Sequence, residues 1–431
     1  MKTRARRLMA CRDGRLKKQM AIGLAAILAL AACGSTSRAS SANSRSSGDL
    51  TIGELLPFTG TKSVLSTEGV AGTAAGVYAV NAAGGVLGHK FTTATADTAG
   101  DAVDAVPALR RLLLRNPDFV VGPFSLSIMG VIREFDPNNL PDFMVGGDIQ
   151  LDHMRYPYVF RMGPSDSVET VAMATYAISK GLKRAAFIFD NSSNTQGFVA
   201  PLTASYQKQG GRVVANEAIV PDQSSYRSEL TRVFAANPDV VFVSFDQQTA
   251  STLFSEAQSL GYENRVIWIG NDVLASGNFA KAFGQPQATT RLLTVGAVSP
   301  PEGAAYRYFL QAYQEANHTT KTLPVSQPFY DAVVIAALAM DYSHSTNPKV
   351  WAANVTKVSN PPGTACYSYA SCLALLEKHQ KINYQGAIGP DDFNQYHNMF
   401  PSAEVVSGFS SSGALVQVGQ VTAAQLAANA G

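Results

Sequence analysis

The chain has 431 residues, 46% of them hydrophobic and 15% charged, with a formal net charge of +2. That composition excludes a disordered chain, and the length exceeds what one hydrophobic core usually holds, so two folded domains are expected. Residues 1–32 carry eight basic side chains and one acidic one, which leaves the remainder at −5. A mildly acidic body without a basic stripe excludes nucleic acid as the partner.

The N-terminal region reads as an export signal. Lys2, Arg4, Arg6, Arg7, Arg12, Arg15, Lys17 and Lys18 precede the uncharged run Met20–Ala32, and small residues follow up to Cys33. This order marks a secretory signal. The 13-residue run is shorter than the roughly 20 residues a membrane span needs. The basic region is long enough for the true start to be Met9. Leu30-Ala31-Ala32-Cys33-Gly34 resembles the bacterial lipobox, which implies a signal peptide ending at a lipidated Cys33. An ordinary signal peptide with a chance cysteine is the alternative. Residues 34–48 form a Ser-rich tether that cannot bury a core. The protein is expected to be extracytoplasmic, on a membrane but not in it.

Beyond the tether, strands and helices alternate. Leu50–Leu56 is a short apolar strand and Glu68–Asn81 a helix, broken at Ala83-Gly84-Gly85. Val86–Thr95 returns as a strand. Val103, Val106, Leu109, Leu112 and Leu113 line one helix face, which stops at Asn116-Pro117-Asp118 before the strand Phe119-Val120-Val121. The same order recurs: strand Ala185–Phe189, helix Gly197–Gln209, break Gly210-Gly211, strand Arg212–Val220. A helix bearing Tyr226, Leu230, Val233 and Phe234 then stops at Asn237-Pro238-Asp239, before the strand Val240–Val243. The Gly-Gly breaks lie 126 residues apart and the Asn-Pro-Asp stops 121 apart. Two similar α/β lobes explain this repeat, each a parallel sheet covered by helices, with ligands expected at the carboxyl ends of the strands.

Several stretches resemble the type I periplasmic solute-binding proteins, in particular the branched-chain amino acid and amide receptors of ABC importers. They are Pro57-Phe58-Thr59-Gly60, Val80-Asn81-Ala82-Ala83-Gly84-Gly85-Val86-Leu87-Gly88 and Val121-Gly122-Pro123-Phe124-Ser125. Further on come Tyr158-Val159-Phe160-Arg161, Gly163-Pro164-Ser165-Asp166, Tyr330-Asp331-Ala332 and Gly389-Pro390 with Phe393. The resemblance implies two doubly wound parallel-sheet lobes joined by three crossing segments, near Phe160–Pro164, Val295–Ser299 and Ala387–Gly389. Lobe one would comprise residues 49–162 and 297–386, and lobe two residues 163–296 and 387–431. It also implies a monomer that captures a small ligand by closing its lobes and delivers it to a membrane permease. A lipoprotein that signals to a membrane partner instead is the alternative.

Positions carried over from the family give candidate ligand contacts. Ser125 and Ser127 follow the strand Val120-Val121, and Gly147 and Asp148 follow Phe143-Met144-Val145. In lobe two the candidates are Asn194, Asp246, Gln247 and Asp272. Asp272 matches the acidic residue that pairs with a ligand ammonium. Leu126 stands where the family often has serine, and Asp148 would repel a carboxylate. The ligand is therefore expected to be polar and uncharged, or cationic: an amino acid, an amide or a related amine. Several candidates have an alternative as caps or solvated loop residues.

No catalytic constellation, cofactor motif or metal-ligand spacing is present in the sequence, so neither an enzyme nor a cofactor or metal site is expected. Cys366 and Cys372, six residues apart in an exported chain, can close a small loop as a disulfide; two free thiols are the alternative.

Overall fold

The computed structural model describes residues 48–60, 62–284, 287–296, 303–401 and 403–430, without the side chain of Leu126. The signal segment, Cys33 and most of the tether lie outside the described residues, as does most of the expected second crossing.

The first lobe begins with β1 (Leu50–Leu56), α1 (Val64–Ala82), β2 (Phe91–Asp97) and α2 (Ala102–Leu113). It continues through β3 (Phe119–Phe124), α3 (Ser125–Asn138), β4 (Asp142–Val145) and β5 (Val159–Arg161). The strands form a parallel sheet in the order β2-β1-β3-β4-β5. β1 and β3 are buried almost throughout, as expected of strands covered on both faces. The expected strand at Val86 starts later, at Phe91. Val86 and His89 instead exchange backbone hydrogen bonds of 2.9 Å and close a tight turn.

The second lobe runs α4 (Asp166–Ser179), β6 (Arg184–Asp190), α5 (Ser193–Gly197), α6 (Val199–Lys208), β7 (Arg212–Ile219), α7 (Arg227–Ala235) and β8 (Val240–Ser244). It proceeds to α8 (Gln247–Ser259), β9 (Ile267–Gly270), α9 (Gly277–Phe283), α10 (Ala288–Arg291) and β10 (Leu292–Gly296). The chain then returns to the first lobe with α11 (Ala304–Asn317), α12 (Gln327–Ser343), α13 (Pro348–Trp351) and α14 (Val355–Ser359). There β11 (Thr364–Cys366), α15 (Tyr369–Leu376), β12 (Ile382–Gly386) and β13 (Gly389–Pro390) complete it. Cys366 and Cys372 are joined by a disulfide that ties β11 to α15. Finally β14 (Ala403–Phe409), β15 (Leu415–Thr422) and α16 (Ala423–Asn429) finish the second sheet, ordered β15-β14-β10-β9-β8-β6-β7.

The third passage between lobes lies later than Ala387–Gly389. β13 pairs with β12, and Phe393 and Met399 pack into the first-lobe core. The cause is Asp331, buried in α12, which accepts hydrogen bonds from the backbone N–H of Ala387 (2.9 Å) and Ile388 (3.0 Å) and from the Tyr384 hydroxyl (2.7 Å). The chain enters the second sheet only at β14.

The first and third passages run side by side. Arg161 donates its backbone N–H to His397 O (2.9 Å), and Met399 donates to Arg161 O (3.3 Å). The Arg161 guanidinium is buried. It binds Asp152 Oδ1 at 2.8 Å and the Asp148 carbonyl at 3.0 Å.

The two Asn-Pro-Asp stops have one structure. Asn116 and Asn237 both adopt the left-handed conformation, with φ of 50° and 52°, which asparagine tolerates better than most residues. Proline then bars further helix. Asp118 Oδ2 accepts from Thr51 N–H (2.8 Å), and Asp239 Oδ2 accepts from Lys183 and Arg184 N–H (3.0 Å each). Each aspartate thereby holds the first residues of a neighbouring strand. Asp239→Ala is expected to cost about 1–3 kcal/mol of stability in denaturant unfolding, and an unchanged midpoint would show that water replaces the carboxylate at no cost.

Candidate ligand-binding site

In both lobes the parallel strands end on the side where the lobes approach each other. Ile149 of lobe one sits against Gly197 of lobe two, close enough that a Cβ at position 197 would lie 2.9 Å from the isoleucine. The first-lobe candidates gather at the ends of β3 and β4. Ser125 opens α3, whose first turn has no side-chain cap, and its hydroxyl accepts from the Asp148 N–H at 3.2 Å. Gly147 carries the close approach of the lobes: a Cβ there would sit 1.7 Å from Asp166 Oδ1. Asp148 is committed to capping the turn Ile149–Leu151 through the Gln150 N–H (2.9 Å). Ser127 is buried, only 1% exposed, within α3.

The second-lobe candidates do not form one group. Asn194 is exposed on the short α5. Asp246, also exposed, caps α8 by accepting from Thr249 N–H at 2.8 Å. Gln247 donates to the Asn278 carbonyl (3.2 Å) and so ties α8 to α9. Asp272 stands apart from these three. Its residue surface is open to solvent, while its backbone N–H donates to Glu169 Oε1 at 2.8 Å.

Around Asp272 lies a feature that sequence reasoning missed. Asp166 and Glu169 occupy the first turn of α4, three residues apart and thus on one face. Glu404, completely buried at the start of β14, joins them. Gly296 leaves room for the arrangement, since a Cβ there would meet Asp272 Cβ at 2.8 Å and Glu169 Oε1 at 3.5 Å. Burial is the largest cause of the raised carboxyl pKa values, and mutual repulsion adds to it for all but Asp272. Asp166 rises to about 7, through burial and then Asp272, partly offset by Arg161. Glu404 rises to about 8, through burial and then Asp272 and Asp166. Glu169 is pushed well above its ordinary value, and Asp272 is raised by the protein crowded around it. Asp166 senses both Asp272 of lobe two and Asp148 of lobe one, so it stands where the lobes meet.

Of this cluster the sequence marks Asp272, as a candidate contact, and Asp166, at the end of the family-like stretch Gly163-Pro164-Ser165-Asp166. Glu169 and Glu404 are brought together by the tertiary fold and leave no local pattern. Among the described residues, no group of three or more His, Cys, Asp or Glu side chains is arranged to hold a metal ion. A cavity of about 480 Å³ lies elsewhere, between Met162–Pro164, Gln385–Pro390 and the β14–β15 hairpin, and includes none of the eight candidates.

Two facing α/β lobes joined by crossing segments, with polar loops converging at their strand ends, define a ligand-capturing protein of the hinged-clamp class. Over residues 49–402 the chain matches the periplasmic binding protein family, and it belongs to that family. Leu/Ile/Val-binding protein homolog 3 of Brucella melitensis is 24% identical over 328 residues, covering 74% of this chain and 85% of that protein. An amino acid binding protein of Pseudomonas aeruginosa is 25% identical over 264 residues, covering 60% and 70%. The crystal structure of leucine binding protein LivK from Thermotoga maritima shares the fold with a TM-score of 0.69 at 17% identity, covering 86% of this chain and 99% of that one. A solute binding protein of an ABC transporter from R. palustris, in complex with benzoate, gives 0.65 at 19% identity, covering 87% and 97%. The chain is thus a type I solute-binding protein and not an enzyme, and its family places it outside the cytoplasm.

The raised carboxyls fix the sign of a pH effect. Glu404 holds its proton more tightly in the folded protein than in the unfolded chain. Its contribution to stability therefore falls as pH rises from about 4.5 and levels off above about 8. Glu404→Gln is expected to match the parent protein near pH 4.5. It should exceed it by about 2–4 kcal/mol at pH 8.5. Thermal unfolding across that range checks this, and parallel curves would show that Glu404 ionises at no cost.

Proposed function

We propose that this protein is the solute-binding lipoprotein of an ABC importer, anchored through Cys33, and that it captures a small polar ligand by closure of its lobes. The ligand class is an amino acid, amide or related amine, and the cognate partner is a membrane permease. The observation that carries this reading is the convergence of Ser125, Gly147 and Asp148 from one lobe with Asp166 and Asp272 from the other, within a family of binding proteins. Relatives named for Leu/Ile/Val binding support an amino acid or its analogue. Asp272 supplies the counter-charge for a ligand ammonium, and the uncapped first turn of α3 with Ser125 supplies donors on the opposite wall. Lobe closure follows because a ligand touching both walls favours the closed form by its differential affinity.

Two measurements test this. A thermal-shift screen of the purified protein against amino acids, amides, polyamines, sugars and nucleosides should show one class adding about 2.7 kcal/mol at 100 times its dissociation constant. With that ligand, Asp272→Ala should weaken binding by about 2–5 kcal/mol, and an unchanged affinity would remove Asp272 from the site. Separately, Cys33→Ser should move the protein from the membrane fraction to the soluble one; continued membrane association would refute the anchor.

A further inference from the structure

Among the described residues the acid cluster has one basic neighbour, Arg161, which offsets Asp166 only in part. Around it, α4 contributes Asp166 and Glu169, the turn after β9 contributes Asp272 and β14 contributes Glu404. From lobe one Asp148, Asp152 and Arg161 face Asp166. Arg161, the one basic residue in this set, is committed to Asp152 and to the Asp148 carbonyl. Glu404 is completely buried, and neither of its carboxyl oxygens has a hydrogen-bond partner among the described residues. Its charge is felt by Glu169, and it senses Asp166 and Asp272, so it belongs to the same cluster. Asn271, whose amide nitrogen donates to Asp272 Oδ1 at 3.4 Å, keeps its own side-chain oxygen buried and also without a partner among the described residues. Carboxylates that repel one another beside a buried member either hold protons or acquire a positive group. No metal-holding arrangement exists here among the described residues. Asp272, the member open to solvent, is the point where a positive group would arrive.

We propose that Asp166, Glu169, Asp272 and Glu404 act together as a proton-exchanging site that selects an organic cation lacking a carboxylate, its ammonium settling at Asp272 and Asp166 while one proton leaves the cluster for solvent. The proposal rests on the reading of the chain as a solute-binding protein and narrows its substrate class to amines. The balance is simple: one cation enters, one carboxylic acid becomes a carboxylate, and one proton is released. Glu404 and Glu169 set the proton affinity from behind, without touching the ligand. Asp148, on the facing wall, disfavours a ligand carboxylate.

Calorimetric titration of the full mature protein with 1,4-diaminobutane, and in parallel with L-leucine, tests the proposal. An alkylamine stays cationic below its pKa of about 10, so any pH dependence in the range used belongs to the protein. The dissociation constant for 1,4-diaminobutane should fall about tenfold per pH unit from pH 5.5 to 7 and flatten above about pH 8. Titrations at pH 6.5 in two buffers of different ionisation enthalpy should report about one proton released per amine bound. Glu404→Gln and Glu169→Gln, each near-isosteric, should flatten the slope; the parent protein alone already decides the question if either variant fails to fold. Leucine binding with no proton release, or diamine binding that is independent of pH, overturns the cluster as a selector and leaves solute capture intact. No binding of the diamine also overturns it, while the wider ligand screen decides solute capture separately.

Discussion

A single buried guanidinium organises the junction of the lobes. Arg161 lies in β5, the last strand of the first sheet, and its backbone bonds run to the returning segment 397–399. Its side chain holds Asp152 and the carbonyl of Asp148, and Asn398 bonds the carbonyls of Leu151 and Asp152. Two passages between lobes and the loop that ends β4 are thereby fastened at one point. Because the charge is buried and held by two partners, removing it would leave the half-buried Asp152 without its cation, the costly half of a broken pair.

The same engagement explains the acid cluster. Arg161, bonded to Asp152, offsets Asp166 only in part, so the carboxyls of α4, β14 and the turn after β9 stay raised above their ordinary range. Glycine at positions 147 and 296 lets this happen, since any side chain there would displace Asp166 or Asp272. The result is a region that stores unfavourable electrostatic energy next to the place where the lobes meet. Binding sites keep such arrangements when a ligand relieves them.

Much of this architecture was legible in the residues. The alternation of apolar strands and amphipathic helices reflects sheets buried on both faces, and the paired Asn-Pro-Asp stops proved to share backbone conformation and carboxylate role. Less legible were places where a local pattern has two readings. Val86 and Leu87 are apolar enough for a strand, yet Gly85, Leu87 and Gly88 all sit at positive φ and form a turn. Ala387–Gly389 is expected as a crossing between lobes, whereas Asp331 holds Ala387 and Ile388 to α12. Asp148 and Asp246 are expected as ligand contacts with capping as the alternative, and both carboxylates do cap a helical turn. Glu169 and Glu404 gave no warning, because their environment is made by segments far apart in the chain.

Neither lobe is a continuous stretch of polypeptide. The first lobe gains its later helices only after residue 303, and the second sheet gains its last two strands from residues 403–422. Until those strands arrive, β10 has an open edge and Glu404 is absent from its place. Neither lobe is therefore complete until these later segments are in place.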